Sequence, residues 1–472
     1  MERRAVSQLD ALIEGKQVDS GGPVLDVVSP ATGEIVAQVR EAGPVQVAVA
    51  VAAARASFAD WSTRPVGERA EVLDRLAHLI ERNGDAIVDA VSTEMGMPFG
   101  LARPTQVELV ASVLRRTAAT AREFPWVAQH DGFEVHHLAA GVVAAITPWN
   151  MPAYQVTTKL GPALAAGCTA VLKPSELAPT AAHRFVELAH EAGLPAGVLN
   201  VVHGRGPTTG EILVGSEGVD VVSFTGSVAA GSRVAAVAGA GLRRVALELG
   251  GKSATVVLDD ADLDEVIPRA VRAAFVNSGQ ACNAPTRLLV PRAAMARVEV
   301  LAASTVVRLR VGAPDRPDTD LGPLVSHAQH ARVTGFLDRA LAAGARVVAG
   351  VEGVQSPYFG PVVLGDVARD SEIAREEVFG PVLVLLPYDD DADAIRLAND
   401  TRYGLSAELW SPDPARVATV AAGLRSGQVK VNGVRTRERP DAPFGGFGAS
   451  GVGRELGTWG LHEFLEVKAV LA

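Results

Sequence analysis

The stretch Val276–Arg287 reads V-N-S-G-Q-A-C-N-A-P-T-R, and Cys282 at its centre is one of two cysteines in the chain. A cysteine thiolate is a strong nucleophile toward a carbonyl carbon. A second dense segment, Glu248–Ser253, reads E-L-G-G-K-S and begins with a carboxylate. A thiol and a carboxylate that the fold brings together form a nucleophile-and-base pair. The two segments predict covalent catalysis at Cys282, although residue type alone does not assign Glu248 as the base.

The remaining cysteine and the amino terminus indicate the cellular compartment of the protein. Cys168 lies in an apolar run and is predicted to be a buried core thiol. Two cysteines cannot form a disulfide framework, so we expect free thiols in a reducing compartment. Residues Met1–Ser7 lack the apolar core of a secretory signal, and the run Leu138–Ile146 is too short to span a bilayer. We therefore expect a cytoplasmic protein that does not insert into membranes.

Length and composition indicate a large globular protein. The chain has 472 residues, of which 48% are hydrophobic and 21% charged, with a formal net charge of -10. A chain of this length is expected to fold as two or three domains. The acidic balance and the lack of a lysine-rich block argue against nucleic acid as a partner.

Short apolar runs alternate with helically spaced segments in the middle of the chain. The predicted strands there are Gly141–Ile146, Thr169–Leu172, Val198–His203 and Val219–Phe224. The predicted helices are Thr105–Arg122, Gly161–Ala166, Thr180–Glu191, Thr208–Gly215 and Val228–Ala238. Such alternation is typical of the α/β class, with a parallel sheet whose strand C-termini share one edge. The alternation resumes after Cys282, which predicts a second α/β unit.

Two further segments have strand character but lie outside this alternation. Trp126–Ala128 and Phe133–Val135 flank an Asp-Gly turn and predict a hairpin. The apolar tail Phe464–Leu471 also resembles a strand. Because exposed edges seek partners, we expect the hairpin and the tail to pair, and the tail to meet another subunit.

Polar segments follow three of the predicted strands. Phe224–Ser227 reads F-T-G-S, and a helix capped by Ser227 would accept a phosphate at its N-terminus. Lys173–Glu176 reads K-P-S-E, whose charged ends suit the vicinal hydroxyls of a ribose. Thr147–Asn150 reads T-P-W-N and offers an amide as an oxyanion donor. Each segment alone is equally compatible with a capped helix, a charged surface turn or a turn asparagine.

Together these segments resemble the aldehyde dehydrogenase superfamily over nearly the whole chain. The matching motifs, in the order and spacing of that family, are T-P-W-N at 147–150, K-P-S-E at 173–176, F-T-G-S at 224–227, E-L-G-G-K-S at 248–253, G-Q-x-C at 279–282, E-E-V-F-G-P at 376–381 and P-F-G-G-F-G-x-S-G at 443–451. The resemblance implies an aldehyde-dehydrogenase-like α/β fold with two parallel-sheet domains and a small β oligomerisation bridge. It implies a cofactor-binding domain at 1–115 and 139–247, a catalytic domain at 248–455 and the bridge at 116–138 and 456–472. The bridge extends a neighbouring subunit's sheet in that family, so a homodimer or homotetramer is expected.

The resemblance also implies the chemistry. Cys282 would attack an aldehyde to form a thiohemiacetal, with the oxyanion held by the Asn150 amide and the Cys282 N–H. Loss of a hydride to a nicotinamide leaves a thioester, and Glu248 would activate the water that hydrolyses it to a carboxylic acid. Lys159 matches a lysine assigned to proton relay. No metal is expected.

The cofactor implied is NAD, with NADP possible. Lys173 and Glu176 match ligands of the adenosine ribose, Ser227 a pyrophosphate ligand, Glu377 a ligand of the nicotinamide ribose, and Phe379 a residue packed near that ring. Further residues matched to the cofactor site are Ile146, Trp149, Gly206, Gly226 and Leu249. A carboxylate at Glu176 favours NAD because it repels the 2′-phosphate of NADP.

Two other functions remain open at this point. A CoA-acylating relative would pass the acyl group to CoA instead of water, which leaves no need for Glu248. A member without activity would act as a structural or binding protein, against which the joint presence of Cys282, Glu248 and Asn150 argues. The substrate is also open, because three arginines in 435–439 would attract a carboxylated aldehyde or simply form a solvated loop.

Overall fold

The protein is described by a computed structural model covering residues 6–350, 355–434 and 439–471. The strands in these ranges are β1 (Ser7–Leu9), β2 (Ala11–Ile13), β3 (Lys16–Val18), β4 (Gly21–Val28), β5 (Ile35–Ala42), β6 (Val127–His130), β7 (Phe133–Ala139), β8 (Val142–Ile146), β9 (Thr169–Lys173), β10 (Leu199–Val201), β11 (Val221–Thr225), β12 (Arg244–Glu248), β13 (Ala254–Val257), β14 (Arg287–Pro291), β15 (Arg346–Gly350), β16 (Val362–Gly365), β17 (Val382–Tyr388), β18 (Ser406–Trp410), β19 (Gln428–Val431), β20 (Gly451–Val452) and β21 (Leu465–Leu471). The α-helices are α1 (Pro44–Thr63), α2 (Val66–Arg82), α3 (Gly84–Met95), α4 (Phe99–Arg103), α5 (Leu109–Glu123), α6 (Pro152–Ala166), α7 (Thr180–Glu191), α8 (Glu211–Gly215), α9 (Val228–Ala240), α10 (Leu263–Ala274), α11 (Met295–Val306), α12 (His327–Ala342), α13 (Glu372–Arg375), α14 (Asp391–Asn399), α15 (Pro414–Gly423) and α16 (Gly457–His462).

The first large sheet has eight strands in the order β20-β12-β11-β8-β9-β10-β2-β3. The five strands from β12 to β10 run parallel, as the alternating pattern predicted. Strands β8, β9 and β11 are buried at every position because helices cover both faces of the sheet. From β8 the chain winds outward through β9 to β10 and then returns to place β11 on the other side of β8. This reversal is the switch point where doubly wound sheets bind ligands.

The second large sheet has seven strands in the order β15-β16-β17-β14-β13-β18-β19. Its strands are parallel except for β15, which pairs with β16 in the antiparallel sense. Apolar clusters cover its two faces, with helices α12 and α14 on one and α10 and α11 on the other. The α/β class with two parallel sheets is therefore confirmed.

A small antiparallel sheet joins the predicted hairpin to the chain's tail. Strands β6 and β7 meet across the two-residue turn Asp131–Gly132, in which Gly132 has a φ of 79°. Strand β21 pairs with β7 along its whole length. The predicted pairing of hairpin and tail is thus confirmed within the chain. A further three-stranded sheet near the amino terminus has the order β1-β5-β4.

Two sequence-based helix boundaries need correction. Helix α6 begins at Pro152, nine residues before the predicted start at Gly161, because proline is well tolerated in a helix's first turn. The predicted helix Thr105–Arg122 begins as a π-helical turn, Pro104–Glu108, and continues as α5. The expected domain boundary at 115/116 falls inside α5. Of the arginine segment considered for substrate binding, 435–438 lies outside the described residues.

Candidate active site

Four predicted functional segments begin where neighbouring parallel strands end. In the ladder, Lys173 is opposite Ile146, which is opposite Phe224, and Thr225 is opposite Glu248. The ends of β9, β8, β11 and β12 therefore form one row at the switch-point edge. The sheet itself brings Lys173, Ile146 and Glu248 together from distant parts of the sequence.

The F-T-G-S segment forms a capped helix N-terminus next to this row. Ser227 is the N-cap of α9, and its Oγ accepts a hydrogen bond from the Ala230 N–H at 3.2 Å. The Gly226 N–H donates to the Glu248 carbonyl at 3.0 Å and so ties the turn to β12. Ser227 is exposed, and the partial positive charge of the helix end faces outward with it. The predicted N-cap is confirmed.

Lys173 and Glu176 lie close together but differ in exposure. The Lys173 amine is buried, donates to the Pro174 and Gly204 carbonyls at 2.8 Å each, and lies 3.9 Å from the Glu176 carboxylate. Burial lowers the pKa of Lys173, which Glu176 and Glu41 oppose. The Glu176 side chain is partly exposed and faces solvent at the end of this row.

Two other expected cofactor residues lie in neighbouring turns. Gly206 is exposed and starts the π-helical turn Gly206–Gly210 that precedes α8. Leu249 is buried, and its N–H donates to the Ser450 carbonyl at 2.9 Å, which joins the segment after β12 to the C-terminal glycine motif.

The loop before Cys282 has an unusual backbone. Asn277, Ser278 and Gly279 are successive residues with left-handed φ values of 54°, 56° and 71°. Non-glycine residues seldom adopt this conformation, and such strain concentrates at functional sites. The Gln280 side chain secures the loop, because its Oε1 accepts from the Val325 N–H at 3.0 Å. A Cβ at Gly279 would collide with the Gly380 carbonyl, which explains the glycine there.

Asn150 lies beside this loop. Its Nδ2 donates to the Gln280 carbonyl at 3.0 Å, and its own carbonyl accepts from Asn277 Nδ2 at 3.1 Å. The side chain is buried, and Gln280 takes one of the two N–H groups that an amide nitrogen carries. Sequence motifs predicted Asn150, but not Asn277 and Gln280, which hold it against the cysteine loop.

Cys282 itself is half-buried, and three glutamates and Lys430 act electrostatically on its thiol. Burial raises the pKa of its thiol to about 12, and Glu377, Glu248 and Glu455 add to the rise. The thiol is therefore protonated at neutral pH in the free protein. The Cys282 carbonyl packs so closely on Gly251 that a Cβ there would lie 2.5 Å from it, which accounts for the Gly-Gly pair after Glu248.

The Glu248 carboxylate is buried in the same region. Its Oε2 has no hydrogen-bond partner among the described residues. Burial and the neighbouring Glu455 raise its pKa well above the usual range, while Lys159 and Arg454 lower it less. The C-terminal glycine motif packs directly on it, since a Cβ at Gly445 would lie 2.7 Å from Glu248 Oε1.

Lys159 forms an ion pair that sequence patterns did not predict. Its Nζ lies 2.8 Å from Glu455 Oε1, and both side chains are buried. Glu455 also acts electrostatically on both Glu248 and Cys282. Glu455 lies shortly after the C-terminal glycine motif, but its ion-pair partner Lys159 is 296 positions away in the sequence. No local pattern therefore links the two residues.

Glu377 and Phe379 approach the same region from the second sheet. Glu377 Oε1 accepts the Gly251 N–H at 3.0 Å, and burial raises its pKa to about 7. The Phe379 ring packs edge-to-face on Trp149, with ring centroids 5.4 Å apart. Phe379 has a left-handed φ of 60°, a strained conformation that turns the ring toward Trp149.

An apolar cluster adjoins Cys282. Its buried members are Val113, Leu405, Phe444 and Leu456, and Leu109, Tyr154 and Cys282 pack against them. Tyr154 and Phe444 are the aromatic members of this cluster. Arg116, one turn beyond Val113 on α5, pairs with Asp441 at 2.8 Å.

Cys168 is buried, and its thiol donates to the Phe464 carbonyl at 3.3 Å, so the prediction of a core thiol is confirmed. Across the described ranges, no cluster of histidine, cysteine, aspartate or glutamate has the arrangement of a metal site. No helix in those ranges combines the length and apolarity needed to cross a bilayer.

Comparison with known proteins gives a match over nearly the whole chain. Residues 17–470 match the aldehyde dehydrogenase family. The chain is 42% identical to a 3-succinoylsemialdehyde-pyridine dehydrogenase from a Pseudomonas species over 97% of both chains. It is 36% identical to the glutarate-semialdehyde dehydrogenase of Pseudomonas putida over 97% of this chain and 96% of that one.

Solved structures agree with this match. Aldehyde dehydrogenase C of Pseudomonas syringae, a cysteine-to-alanine variant in complex with NAD⁺ and octanal, superposes with a TM-score of 0.96 at 43% identity, covering 98% of this chain and 96% of that one. A betaine aldehyde dehydrogenase from Staphylococcus aureus in complex with NAD⁺ has a TM-score of 0.94 at 31% identity, covering 98% and 94%.

Proposed function

The chain belongs to the aldehyde dehydrogenase family of oxidoreductases, and we propose that it oxidises an aldehyde with NAD through a covalent adduct on Cys282. The observation that carries this proposal is the convergence of Cys282, Asn150 and Glu248 from three separate segments. The Asn150 amide is hydrogen-bonded to the residue two positions before Cys282, and Glu248 acts electrostatically on the Cys282 thiol.

The residues at the strand ends fit a dinucleotide. The capped N-terminus of α9 at Ser227 suits a pyrophosphate, and the partly exposed Glu176 carboxylate beside Lys173 suits the hydroxyls of a ribose. We propose that Glu377, whose carboxylate accepts the Gly251 N–H, contacts the second ribose. When bound, NAD supplies the hydride acceptor for the oxidation. Relatives of similar fold hold NAD⁺, which supports the same cofactor here.

We propose that Ile146, Trp149, Gly206, Gly226, Leu249 and Phe379 complete the cofactor site. Trp149 and Phe379 fix each other's rings by their edge-to-face contact. Ile146 lies in the row of strand ends between Lys173 and Phe224. The eight-stranded sheet then serves the cofactor and the seven-stranded sheet the covalent step, with 1–115 and 139–247 as cofactor domain, 248–455 as catalytic domain and 116–138 with 456–472 as bridge.

In the first chemical step the Cys282 sulfur adds to the aldehyde carbon, the C=O π electron pair moves to the oxygen, and the thiol proton passes to solvent water. The second N–H of Asn150 Nδ2 and the Cys282 backbone N–H are proposed to stabilise the oxyanion. Burial among carboxylates keeps the thiol protonated in the free enzyme, which limits its side reactions.

Hydrolysis of the resulting thioester requires a base, and Glu248 is proposed to activate the water. Its raised pKa places the carboxylate nearer the range of an efficient base. The buried Lys159–Glu455 pair is proposed to carry the proton away, because Glu455 interacts electrostatically with Glu248 and forms an ion pair with Lys159. This arrangement favours water over CoA as acyl acceptor.

The wall beside Cys282 favours an aldehyde with an apolar chain. The cluster around Cys282 is apolar, and Arg116 at its rim is paired with Asp441. Octanal, bound by the relative from Pseudomonas syringae, has this chemistry, whereas the semialdehyde substrates in the names of other relatives differ from it. We expect kcat/KM for medium-chain aliphatic aldehydes to exceed that for carboxy-aldehydes by roughly tenfold or more.

The test is NAD reduction by the purified protein across short and medium aliphatic, aromatic, amino- and carboxy-aldehydes. A preference for carboxy-aldehydes would contradict the apolar-wall argument and favour a role for the arginines in 435–439. Silence across the whole panel, with NAD still bound, would favour a structural or binding protein. Formation of acyl-CoA when CoA is added would contradict the hydrolytic assignment.

Glu176 is expected to determine the preference for NAD. In the Glu176→Gln variant the repulsion of a 2′-phosphate is removed while the side-chain shape is kept. We expect the ratio of kcat/KM with NADP to that with NAD to rise roughly tenfold, equivalent to about 1.4 kcal/mol. Glu191→Gln, at the exposed end of α7, is the matched control. An unchanged ratio would show that other groups select the cofactor.

We propose a homodimer or homotetramer built on the small sheet. Val467 and Leu471 lie on one face of β21 and are 64% and 80% exposed. A second copy covering this face would bury them. Val467→Glu is expected to shift the gel-filtration mass toward that of a single 49.0 kDa chain. Lys468→Glu, on the opposite face of the strand, is the control, and equal masses for both variants would place the interface elsewhere.

We also propose a cytoplasmic location, in line with the two free cysteines.

A further inference from the structure

A small, partly open cavity of about 20 Å³ lies next to the segment that follows the Gly250–Gly251 pair. Residues from four regions line it, among them Lys252, Arg287, Ser406 and Arg425. A space of this size accommodates a water molecule or a monatomic ion. Neither Cys282 nor the other groups proposed to act on the aldehyde carbonyl line it.

Three of the lining side chains end in polar atoms without a partner. Lys252 Nζ, Ser253 Oγ and Ser406 Oγ are buried and have no hydrogen-bond partner among the described residues. The Lys252 side chain is only 2% exposed. Buried polar groups in proteins are nearly always hydrogen-bonded, so three such atoms around one cavity indicate a bound species.

The charges that line the cavity favour an anion. The lining residues include three cationic side chains, Lys252, Arg287 and Arg425, and no aspartate or glutamate. The Arg287 guanidinium donates hydrogen bonds to the Lys252, Leu397 and Ala398 carbonyls at 3.0, 2.9 and 2.6 Å. Its charge is thus not neutralised by a carboxylate in those contacts. Burial and Arg287 lower the pKa of Lys252 to about 7, although two glutamates outside the lining oppose this shift. An anion in the cavity would favour the charged ammonium form.

We propose that this cavity binds a single monatomic anion, such as chloride, held by Lys252 Nζ and by the hydroxyls of Ser253 and Ser406. An ammonium and two hydroxyls supply donors that a halide accepts together, whereas a water molecule would add no negative charge. The site adjoins the cofactor region through the backbone, since the Gly251 N–H next to Lys252 holds Glu377. Anion binding thereby braces the turn that holds Glu377.

The test uses the full chain in halide-free gluconate buffer, because gluconate is too large for the cavity. Replacing gluconate by chloride or bromide at constant ionic strength is expected to raise the melting temperature by about 1–3 °C at saturation. In crystals grown with bromide, an anomalous peak is expected against Lys252 Nζ. Lys252→Met, which keeps the side chain's length, should lose both effects, while Lys16→Met, at an exposed lysine, should keep them.

Ser406→Ala provides a second variant that retains the charge of Lys252. We expect it to weaken halide binding several-fold without abolishing it. A cavity that contains only water in bromide crystals would overturn the proposal. The same holds for a halide effect on melting that is unchanged in Lys252→Met, because the anion would then bind elsewhere. Both readouts are independent of aldehyde oxidation, so they do not depend on the proposed catalytic roles.

Discussion

Replacing Cys282 by alanine is expected to lower kcat for NAD reduction by at least about 10⁴-fold. The proposed route passes through a bond between Cys282 and the aldehyde carbon, and the other residues only stabilise or hydrolyse that adduct. Removing the sulfur leaves Asn150 and Glu248 with no adduct to act upon. The measurement is the initial rate of cofactor reduction at saturating aldehyde, together with calorimetry to show that NAD still binds.

Cys168→Ala is the matched control for this loss. Its thiol is buried in the core, and its contact is the Phe464 carbonyl, far along the chain from the catalytic loop. We expect Cys168→Ala to lose some stability through the small cavity it creates, but to retain activity. If Cys282→Ala retained activity and Cys168→Ala lost it, the nucleophile would have been assigned to the wrong cysteine.

The parts of the fold that sequence patterns predicted are those set by local physics. Strands β8, β9 and β11 are fully buried five-residue runs, so their apolar composition alone marks them. The helix Thr180–Glu191 was predicted to the residue, and the Ser227 cap was predicted because a serine between strand and helix has a specific hydrogen-bonding use. Helix α6 was predicted too short, since a start at Gly161 leaves out its first nine residues from Pro152.

The parts of the site that sequence patterns missed depend on long-range contacts. Nothing near Lys159 indicates that Glu455 will be its partner, because only the packing of α6 against the chain's end brings them together. The left-handed backbone conformation of Asn277 and Ser278 could not be predicted from their residue types either, because the tertiary structure imposes it. Motif resemblance identified Cys282, Glu248 and Asn150, but the electrostatic effect of Glu455 on Glu248 and Cys282 depends on the tertiary structure.

Glu248→Gln is expected to separate formation of the thioester from its hydrolysis. Glutamine keeps the shape of the side chain but cannot accept a proton from water, so steady-state turnover should fall by about 10²–10⁴-fold. Because the sulfur of Cys282 is intact, a first equivalent of NAD should still be reduced per active site before the slow phase. Rapid-mixing measurement of cofactor reduction would show this burst.

The pH dependence of the wild-type enzyme gives an independent check on the same residue. Burial and Glu455 raise the pKa of Glu248, so its basic form appears only as pH rises through that raised value. Hydrolysis should therefore speed up with pH across this interval in the wild type, and Glu248→Gln should lose that dependence. A Glu265→Gln variant, at an exposed position on α10, should keep it.

Hydroxylamine distinguishes the proposed role of Glu248 from an earlier one. This small nucleophile can cleave a thioester to a hydroxamate without a protein base. Added after the burst, once free aldehyde has been removed, it should release the Cys282 thiol and allow a second burst in Glu248→Gln, whereas Cys282→Ala should yield no hydroxamate. Rescue would place the defect after the thioester, as the proposal requires. If both the burst and the rescue failed, Glu248 would instead act in the attack step. Its electrostatic interaction with the Cys282 thiol would then make it the acceptor of the thiol proton.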